Sequence, residues 1–279
     1  VHAPGDAELA ARDAQMQWVA RITQALDEDR FALCYQPIAP LAPHAHERPH
    51  YEILLRLVDE NGQLVEPGAF IPAAERYNLM PAIDRWVLRH ALADFAQRHR
   101  QTPEHELPIY AINLSGLSLN DIGLVDFIRQ LLREHQVPGH ALCIEITEAA
   151  AIANLAQAAH FIRALKELGC LFSLDDFGSG MHSFAHLKML PVDFLKIDGN
   201  FVRSIVEDRV VRAMAEAINR VAHVMAIQTV AECAESDAIL GLLKELGVDH
   251  AQGYAVMRPR PLAELNGRDD ATRPVKRKR

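Results

Sequence analysis

The 279 residues predict an α/β fold, a TIM-like (β/α)8 barrel preceded by an amphipathic helix. Strand-like apolar runs alternate with helix-length segments along the chain, which is typical of a parallel sheet covered by helices. Such a sheet is either closed as a barrel or open and doubly wound. Two observations favour the barrel. No GxGxxG motif follows an early strand, and about seven or eight strand units fit this length better than an open sheet of five or six strands.

The first predicted element is a helix over residues 7–28. Val19, Ile22 and Leu26 recur at helical spacing between charged residues. Because this helix precedes the first strand pattern, it either caps the barrel or connects it to a domain further upstream. We assign residues 1–29 to a linker helix, residues 30–264 to the barrel, and the polar, aperiodic residues 265–279 to a flexible tail.

Two strand patterns come next, at residues 31–37 and 51–58, and the proline-rich segment 39–50 between them predicts an irregular loop. Six further strand patterns follow along the chain: 109–114, 142–147, 171–175, 194–197, 227–231 and, more weakly, 248–252. Helical patterns lie between them, including 124–134, 149–168, 210–224 and 236–246. This alternation is the basis of the barrel prediction.

Composition excludes several classes of protein. No apolar run approaches the roughly 18 to 20 residues that span a bilayer, and no secretory signal is visible. The four cysteines are scattered and form no CxxC pair, which favours a reducing cytoplasm. The sequence leaves open whether the full-length protein is tethered to the inner membrane. A net charge of -8 argues against a nucleic-acid polymer as partner.

Polar and charged residues stand near the carboxyl end of nearly every predicted strand, on one face. Glu145, for example, points away from Ile144 and Ile146, because side chains alternate along a strand. One such residue would more often cap a helix or pair with an arginine. Eight of them would converge where TIM-like barrels build their active sites: Glu52, Asn113, Glu145, Asp175, Asp176, Lys196, Glu232 and Gln252.

This set of side chains predicts divalent metal. All members but Lys196 offer carboxylate or amide oxygens, and that many acids in one cleft repel each other unless cations neutralise them. Oxygen ligands suit Mg²⁺ or Mn²⁺ better than zinc. Asp175 and Asp176 can face one cleft only if the strand breaks there, and we expect residues 178–180, Gly-Ser-Gly, to supply that break. Such a pair could bridge two cations and support attack of water on a phosphodiester.

Two other chemistries have weaker support in the sequence. His44, His46 and His50 could form a metal site in the early loop, but short histidine clusters are more often solvated, and no HExxH or partner cysteine supports zinc. No GxSxG or Cys-His signature indicates a covalent nucleophile.

At these residues the sequence resembles the EAL phosphodiesterase family, from about Arg30 to Pro261. The motifs that carry the likeness follow in order: YQPI at 35–38, YEILLR at 51–56, NLS at 113–115, EITE at 145–148, DDFGSG at 175–180, LPVD at 190–193, LKID at 195–198, AECAE at 231–235, QGY at 252–254 and RP at 258–259. Ile53 stands where the family's name motif has alanine. It should point away from Glu52 and perturb packing more than ligation.

The resemblance implies a modified TIM barrel that hydrolyses cyclic di-GMP to linear pGpG in bacterial second-messenger signalling. It implies that Glu52, Asn113, Glu145 and Asp175 hold one cation. Asp175, Asp176 and Glu232 would help to hold the second. Lys196 would lie beside the nucleophilic water, so Lys196, Asp176 and Glu232 are the expected catalytic residues.

The resemblance also implies supporting roles. Gln36, Arg56 and Gln252 are expected substrate contacts, and Gln252 and Glu235 would position water or support the metal shell. Glu148 would hold the mobile loop that begins at Asp176. Ca²⁺ should bind without supporting turnover, because it is a weaker Lewis acid than Mg²⁺.

The resemblance extends to assembly, and it leaves rival functions. A homodimer is expected, and the opening helix resembles the linker that follows a GGDEF domain, so an upstream GGDEF or sensor domain is expected too. The main rival is a catalytically silent cyclic di-GMP receptor. Such receptors tend to have lost metal ligands, whereas every expected ligand is present here. A second rival, an unrelated Mg²⁺-dependent barrel enzyme acting on another phosphate or an enolate, is disfavoured by the ordered motifs.

Overall fold

The computed structural model describes residues 4–41, 48–178 and 184–265. The strands are β1 (Phe31–Pro37), β2 (Ala39–Pro40), β3 (His50–Val58), β4 (Leu64–Val65), β5 (Ile109–Asn113), β6 (Leu142–Thr147), β7 (Leu171–Phe177), β8 (Phe194–Ile197), β9 (Gln228–Ala231), β10 (His250–Ala251) and β11 (Arg260–Pro261). The helices are α1 (Pro4–Asp27), α2 (Pro67–Arg76), α3 (Met80–Arg98), α4 (Leu124–Glu134), α5 (Glu148–Ala153), α6 (Leu155–Lys166), α7 (Phe184–Leu187), α8 (Gly199–Ser204), α9 (Arg209–Val224) and α10 (Asp237–Glu245). Short 3-10 turns lie at Glu104–Glu106, Ser118–Asn120, Gly139–Ala141 and Leu262–Glu264.

The strands form one curled sheet in the order β11-β1-β3-β5-β6-β7-β8-β9-β10-β2, with β4 paired to β3. From β3 to β10 neighbouring strands are parallel, whereas β1 runs antiparallel to β3 and β2 antiparallel to β10. Only Ile38 separates β1 from β2, so one extended segment pairs with both ends of the parallel series. The sheet therefore curls back on itself, and the predicted TIM-like α/β barrel is confirmed in a form with a reversed first strand.

Two apolar cores hold the barrel together. The larger lies between sheet and helices and takes the outward-facing aliphatic residues of the strands, such as Ile144 and Ile146 of β6 and Leu195 of β8, each 0–1% exposed. The smaller lies inside the barrel and consists of Ile38, Ile109, Ala111, Cys143, Phe194 and Val230. Because residues two apart share a face, the inward positions beyond this inner plug belong to the polar residues.

The helices match the sequence patterns with one break that we did not expect. The segment 149–168, predicted as one helix, is divided at Asn154, whose φ of −148° and ψ of 76° are not helical. The Asn154 side chain accepts a hydrogen bond from the Gln157 backbone N–H at 3.2 Å and so caps α6. Predicting a single helix was wrong because asparagine competes with the helix by capping the next one.

The first helix packs onto the barrel. Ile22 and Ala25 of α1 are fully buried, and the Trp18 ring lies 6.4 Å from the Phe70 ring of α2. The proline-rich segment predicted as irregular begins with the short strand β2, and its residues 42–47 lie outside the described residues, as does most of the predicted tail. None of the described helices combines the length and apolar character that a membrane crossing requires.

Candidate active site

The eight polar and charged residues predicted to converge come from seven neighbouring strands. Six lie on the strands themselves, and two follow directly after a strand: Glu52 (β3), Asn113 (β5), Glu145 (β6), Asp175 and Asp176 (β7), Lys196 (β8), Glu232 after β9 and Gln252 after β10. These strands are parallel, so their carboxyl ends meet at the same end of the barrel. The local alternation of side chains thus places the whole set at one mouth, above the apolar plug.

Lys196 is the centre of this set. Its side chain is 1% exposed, and its Nζ lies 2.8 Å from Glu232 Oε1, 2.9 Å from Glu145 Oε2, 3.3 Å from Glu52 Oε2 and 3.4 Å from Asp175 Oδ1. One buried ammonium group therefore touches four carboxylates. A single positive charge cannot balance four negative ones, so the site is short of positive charge.

Amide side chains tie Glu52 into the same network. Asn113 Nδ2 donates to Glu52 Oε1 at 2.6 Å, and Gln252 Nε2 donates to Glu52 Oε2 at 2.6 Å and to Gln36 Oε1 at 3.0 Å. Gln36 in turn donates to the Met257 carbonyl at 2.8 Å. Hydrogen bonds thus connect Gln36 and Gln252, the predicted substrate contacts, to the acidic cluster through Glu52.

The strand break at the aspartate pair lies at Asp176 itself. Asp176 has a φ of 55°, and the pairing of β7 with β8 shifts register between Leu174 and Phe177. This left-handed residue turns its side chain towards the cleft. As a result Asp175, Asp176 and Glu232 each offer a carboxylate oxygen within 4.8 Å of the others. The sequence predicted this break at residues 178–180. Gly178 also has a left-handed φ, 98°, but the change of register comes before it, at Asp176, and residues 179–180 lie outside the described residues. Aspartate tolerates the left-handed region better than most residues, which is the signal we missed.

Burial and like charge control the protonation of the site. Burial raises the pKa of Glu145 well above its ordinary value and raises that of Glu232 to about 8. Burial and the neighbouring Asp175 raise the pKa of Asp176. Burial alone would lower the pKa of Lys196, but the surrounding acids outweigh it and raise that pKa. The lysine is therefore charged, and the acids compete for protons in the absence of other cations.

Two buried oxygens show that the donor set fits divalent cations. Glu145 Oε1 and Gln252 Oε1 find no hydrogen-bond partner among the described residues. Buried polar atoms nearly always have a partner. Oxygen donors without one, inside a cluster of carboxylates, are what Mg²⁺ or Mn²⁺ requires.

Comparison with known proteins agrees with this geometry. The sequence model of the EAL domain family matches residues 19–259. The chain belongs to the EAL domain family. The cyclic di-GMP phosphodiesterase PdeB of Shewanella oneidensis is 40% identical over 92% of this chain, and PdeF of Escherichia coli is 36% identical over 92%. These alignments cover 30% and 33% of the two relatives, so the chain spans about a third of their length.

Solved structures resemble this EAL domain over nearly their whole length. The PaMucR phosphodiesterase in its c-di-GMP complex has a TM-score of 0.80 at 33% identity, covering 90% of this chain and 100% of that one. The Xanthomonas citri FimX EAL domain in complex with c-diGMP has a TM-score of 0.82 at 30% identity, covering 92% and 99%. The acidic mouth described above is thus that of an EAL barrel.

Three predicted supporting residues of the EAL domain have separate surroundings. Glu148 is buried and its Oε2 accepts the Gly178 backbone N–H at 3.1 Å, just beyond Asp176. Arg56 is buried and pairs with Glu66 at 3.1 Å. Glu235 is not among the acids that contact Lys196 in the described part of the chain. Its carboxylate is exposed and pairs with Arg203 at 3.2 Å.

Glu66 was missed by sequence reasoning. It immediately precedes α2 and holds the guanidinium of Arg56, yet no motif marks it, because the pairing depends on how the β3–β4 hairpin returns.

The rival histidine site receives no support from the described residues. His44 and His46 lie outside them. His50 is buried inside the barrel on β3, with its ring 5.1 Å from Phe194 and 6.5 Å from His250. Burial lowers the pKa of His50 well below its ordinary value. Among the described residues, the group of acids and histidines close enough to share a cation is Asp175, Asp176 and Glu232.

Proposed function

We propose that this EAL domain is a phosphodiesterase that hydrolyses cyclic di-GMP to linear pGpG with two bound divalent cations. The observation that carries the proposal is the cluster of four carboxylates around Lys196, including the buried Glu145 Oε1, which has no hydrogen-bond partner among the described residues. The relatives named as cyclic di-GMP phosphodiesterases support the choice of substrate.

The residues assigned to the cations divide into two sets. Glu52, Asn113, Glu145 and Asp175 would hold one Mg²⁺ or Mn²⁺, and Asp175, Asp176 and Glu232 the other. When bound, two such cations supply Lewis acidity and an activated water nucleophile for attack on a phosphodiester. Asp175 belongs to both sets. The next residue, Asp176, has a left-handed backbone conformation, and its backbone N–H donates to Asp175 Oδ1 at 2.9 Å.

Lys196 does two things in this proposal. Its ammonium group contacts four acids at once, which fixes their carboxylates relative to one another before substrate arrives. The same charge lies close to where negative charge develops on the phosphodiester and so stabilises the transition state. Glu232 forms an ion pair with Lys196 and is also assigned to the second cation, so it links the lysine to the metal site.

The substrate would lie across the mouth of the barrel. Gln36 and Gln252, linked to each other and to Glu52, present amide groups to it, and Arg56 presents a guanidinium that Glu66 holds in place. Guanidinium and amide groups suit phosphate oxygens and base edges. Glu148 would stabilise the segment after Asp176 by accepting the hydrogen bond from Gly178. Glu235 would position water or support the metal shell after its carboxylate leaves Arg203.

We place this barrel in residues 30–264, with residues 1–29 as a linker helix and the remainder as a tail. We also propose a cytoplasmic location, a homodimer and an upstream GGDEF or sensor domain in the full-length protein. The free cysteines, three of them buried, support a reducing compartment.

The test is to incubate the purified chain with cyclic di-GMP and Mg²⁺ or Mn²⁺ and to identify the products by chromatography. We expect pGpG, and no product in excess chelator. Glu52→Gln is the matched control, because it keeps the shape of the side chain and removes its charge. Binding of cyclic di-GMP without a linear product in either metal would favour the receptor.

A further inference from the structure

Asp84 is a buried carboxylate that the proposed chemistry does not use. It lies on α3 and is 3% exposed. Its Oδ2 accepts three hydrogen bonds: from the Ser115 backbone N–H at 3.0 Å, from Ser115 Oγ at 2.8 Å and from Ser118 Oγ at 2.6 Å. Asp84 thus anchors the segment that follows β5, although it lies more than thirty positions before that segment in the sequence.

No lysine or arginine pairs with Asp84 in the described part of the chain. Burial raises its pKa, and the bonds from Ser118 and Ser115 oppose that effect. A buried carboxylate without a cationic partner is expensive for folding, and a neutral residue would fill the same space at lower cost. Three hydrogen bonds reach one oxygen of Asp84, which indicates that this carboxylate maintains the conformation of the segment from Ser115 to Ser118.

That segment starts at Asn113, the last residue of β5. The Asn113 side chain is exposed at the mouth of the barrel, so packing does little to orient it. On its amino-terminal side the ladder holds the backbone, with Asn113 opposite Glu145 in the register of β5 and β6. On the carboxyl-terminal side the Leu114 N–H donates to the Glu145 carbonyl at 2.8 Å, and the next residue is already held by Asp84.

We propose that Asp84 is a positioning residue for Asn113, acting through Ser115 and Ser118 to keep the Asn113 amide directed at Glu52 and the cation that they share. The inference rests on the proposed function, because it takes Asn113 as a cation ligand. It assigns a part in metal affinity to a buried helix residue that itself would not touch the cation.

The experiment is calorimetric titration of Mn²⁺ into the substrate-free wild-type chain and into Asp84→Ala and Asp84→Asn. We expect the Kd of the weakened site to rise about tenfold or more in Asp84→Ala, the range seen when outer partners of metal ligands are removed. Asp84→Asn keeps an acceptor oxygen and should lose less. Asp249→Ala is the matched control. Like Asp84, Asp249 accepts on its Oδ2 a backbone bond and a hydroxyl bond, from the Thr229 N–H at 2.7 Å and Thr229 Oγ1 at 3.0 Å, and it also contacts His223 at 2.8 Å. Thr229 lies at the amino end of β9, at the opposite end of that strand from Glu232. Asp249→Ala should lower stability and leave the Kd unchanged.

A double-mutant cycle separates positioning from general loosening. If Asp84 acts through Asn113, then Asp84→Ala should change the Mn²⁺ Kd little further in an Asn113→Ala background. Wild-type affinity in Asp84→Ala, or an equal loss in both backgrounds, would overturn the proposal. If Asp84→Ala does not fold, Asp84→Asn decides on the same criteria. Hydrolysis is measured in parallel, so a wild-type chain that binds Mn²⁺ but does not cleave refutes the proposed function while the Kd comparison still tests Asp84.

Discussion

Replacing Lys196 with methionine should separate the electrostatics of the mouth from its chemistry. Methionine keeps the length and apolar stem of lysine and removes the ammonium group that touches Glu52, Glu145, Asp175 and Glu232. Removing one partner of a buried ion pair costs about 3–5 kcal/mol, because the other partner is left uncompensated. Here the acids can take up protons, since the pKa values of Glu145 and Glu232 are raised. The cost without metal should therefore lie near the lower end, about 3 kcal/mol.

The assay is thermal unfolding in chelator and in saturating Mg²⁺, together with hydrolysis of cyclic di-GMP. For a domain of roughly this size, about 3 kcal/mol corresponds to a fall of about 6–12 °C in Tm. Mg²⁺ supplies the missing positive charge, so it should restore more of the Tm in Lys196→Met than it adds to the wild type. Hydrolysis should fall much more than substrate binding, because the lysine charge acts mainly on the transition state.

Lys166→Met is the matched control. Lys166 pairs with Asp193 at 2.6 and 2.8 Å, but its side chain is 33% exposed and it lies on the outer face. Partly exposed pairs contribute about 0–1 kcal/mol, and their removal should not depend on Mg²⁺. A Lys196→Met chain that unfolds in chelator like the wild type, or that retains its rate of hydrolysis, would refute the argument.

Four further predictions concern the site and the barrel that carries it. Glu52→Ala and Asp175→Ala should each lower hydrolysis by more than about 100-fold while the chain stays folded, since removing an acid relieves repulsion; near-wild-type turnover would exclude these residues as ligands. Glu148→Ala should raise the Mg²⁺ concentration needed for half-maximal rate, because Gly178 loses its acceptor, and an unchanged Mg²⁺ dependence would count against this role. Ca²⁺ should support binding of cyclic di-GMP, measured by calorimetry, but not cleavage, because it holds oxygens at about 2.3–2.6 Å with looser coordination; cleavage in Ca²⁺ would contradict the expectation. Burial raises the pKa of Asp249, but hydrogen bonds from Thr229 and His223 outweigh burial and lower that pKa in the folded chain. Ionised Asp249 therefore stabilises the fold fully above its unfolded pKa of about 3.9. This stabilisation is lost as the pH falls through the lower pKa of the folded chain. Asp249→Asn should therefore flatten the stability profile in that acid range, measured by urea unfolding, and an unchanged slope would show that other acids dominate.

The parts of the site that could be predicted from sequence are those that depend on local geometry. Glu145 and Lys196 each stand between two aliphatic residues, and alternation along a strand is enough to turn both to the same side of the sheet. The metal prediction followed from the number of oxygen donors and not from any single one. Their convergence needed only the rule that parallel strands end at one edge.

The parts that could not be predicted depend on contacts between distant segments. Asp176 adopts its left-handed conformation where β7 loses register with β8, and Asn154 divides two helices by capping the second. Glu235, expected to position water or to support the metal shell, pairs with Arg203 on α8, 32 residues away. Such pairings depend on how α8 is oriented after β8, and a motif gives no information about that.

The acids and the core residues occupy alternate positions along the same strands. The acids can therefore repel each other without disturbing the packing that holds the backbone. Glu52 lies between Tyr51 and Ile53, each 2% exposed, and Lys196 lies between two residues that are fully buried against the helices. The packing that fixes the backbone is therefore independent of the charges on the inner face. Removing an acid leaves that packing unchanged and lowers the repulsion, so ligand variants should stay folded. Removing an outward aliphatic residue should instead displace the neighbouring ligand, because the two share one stretch of backbone.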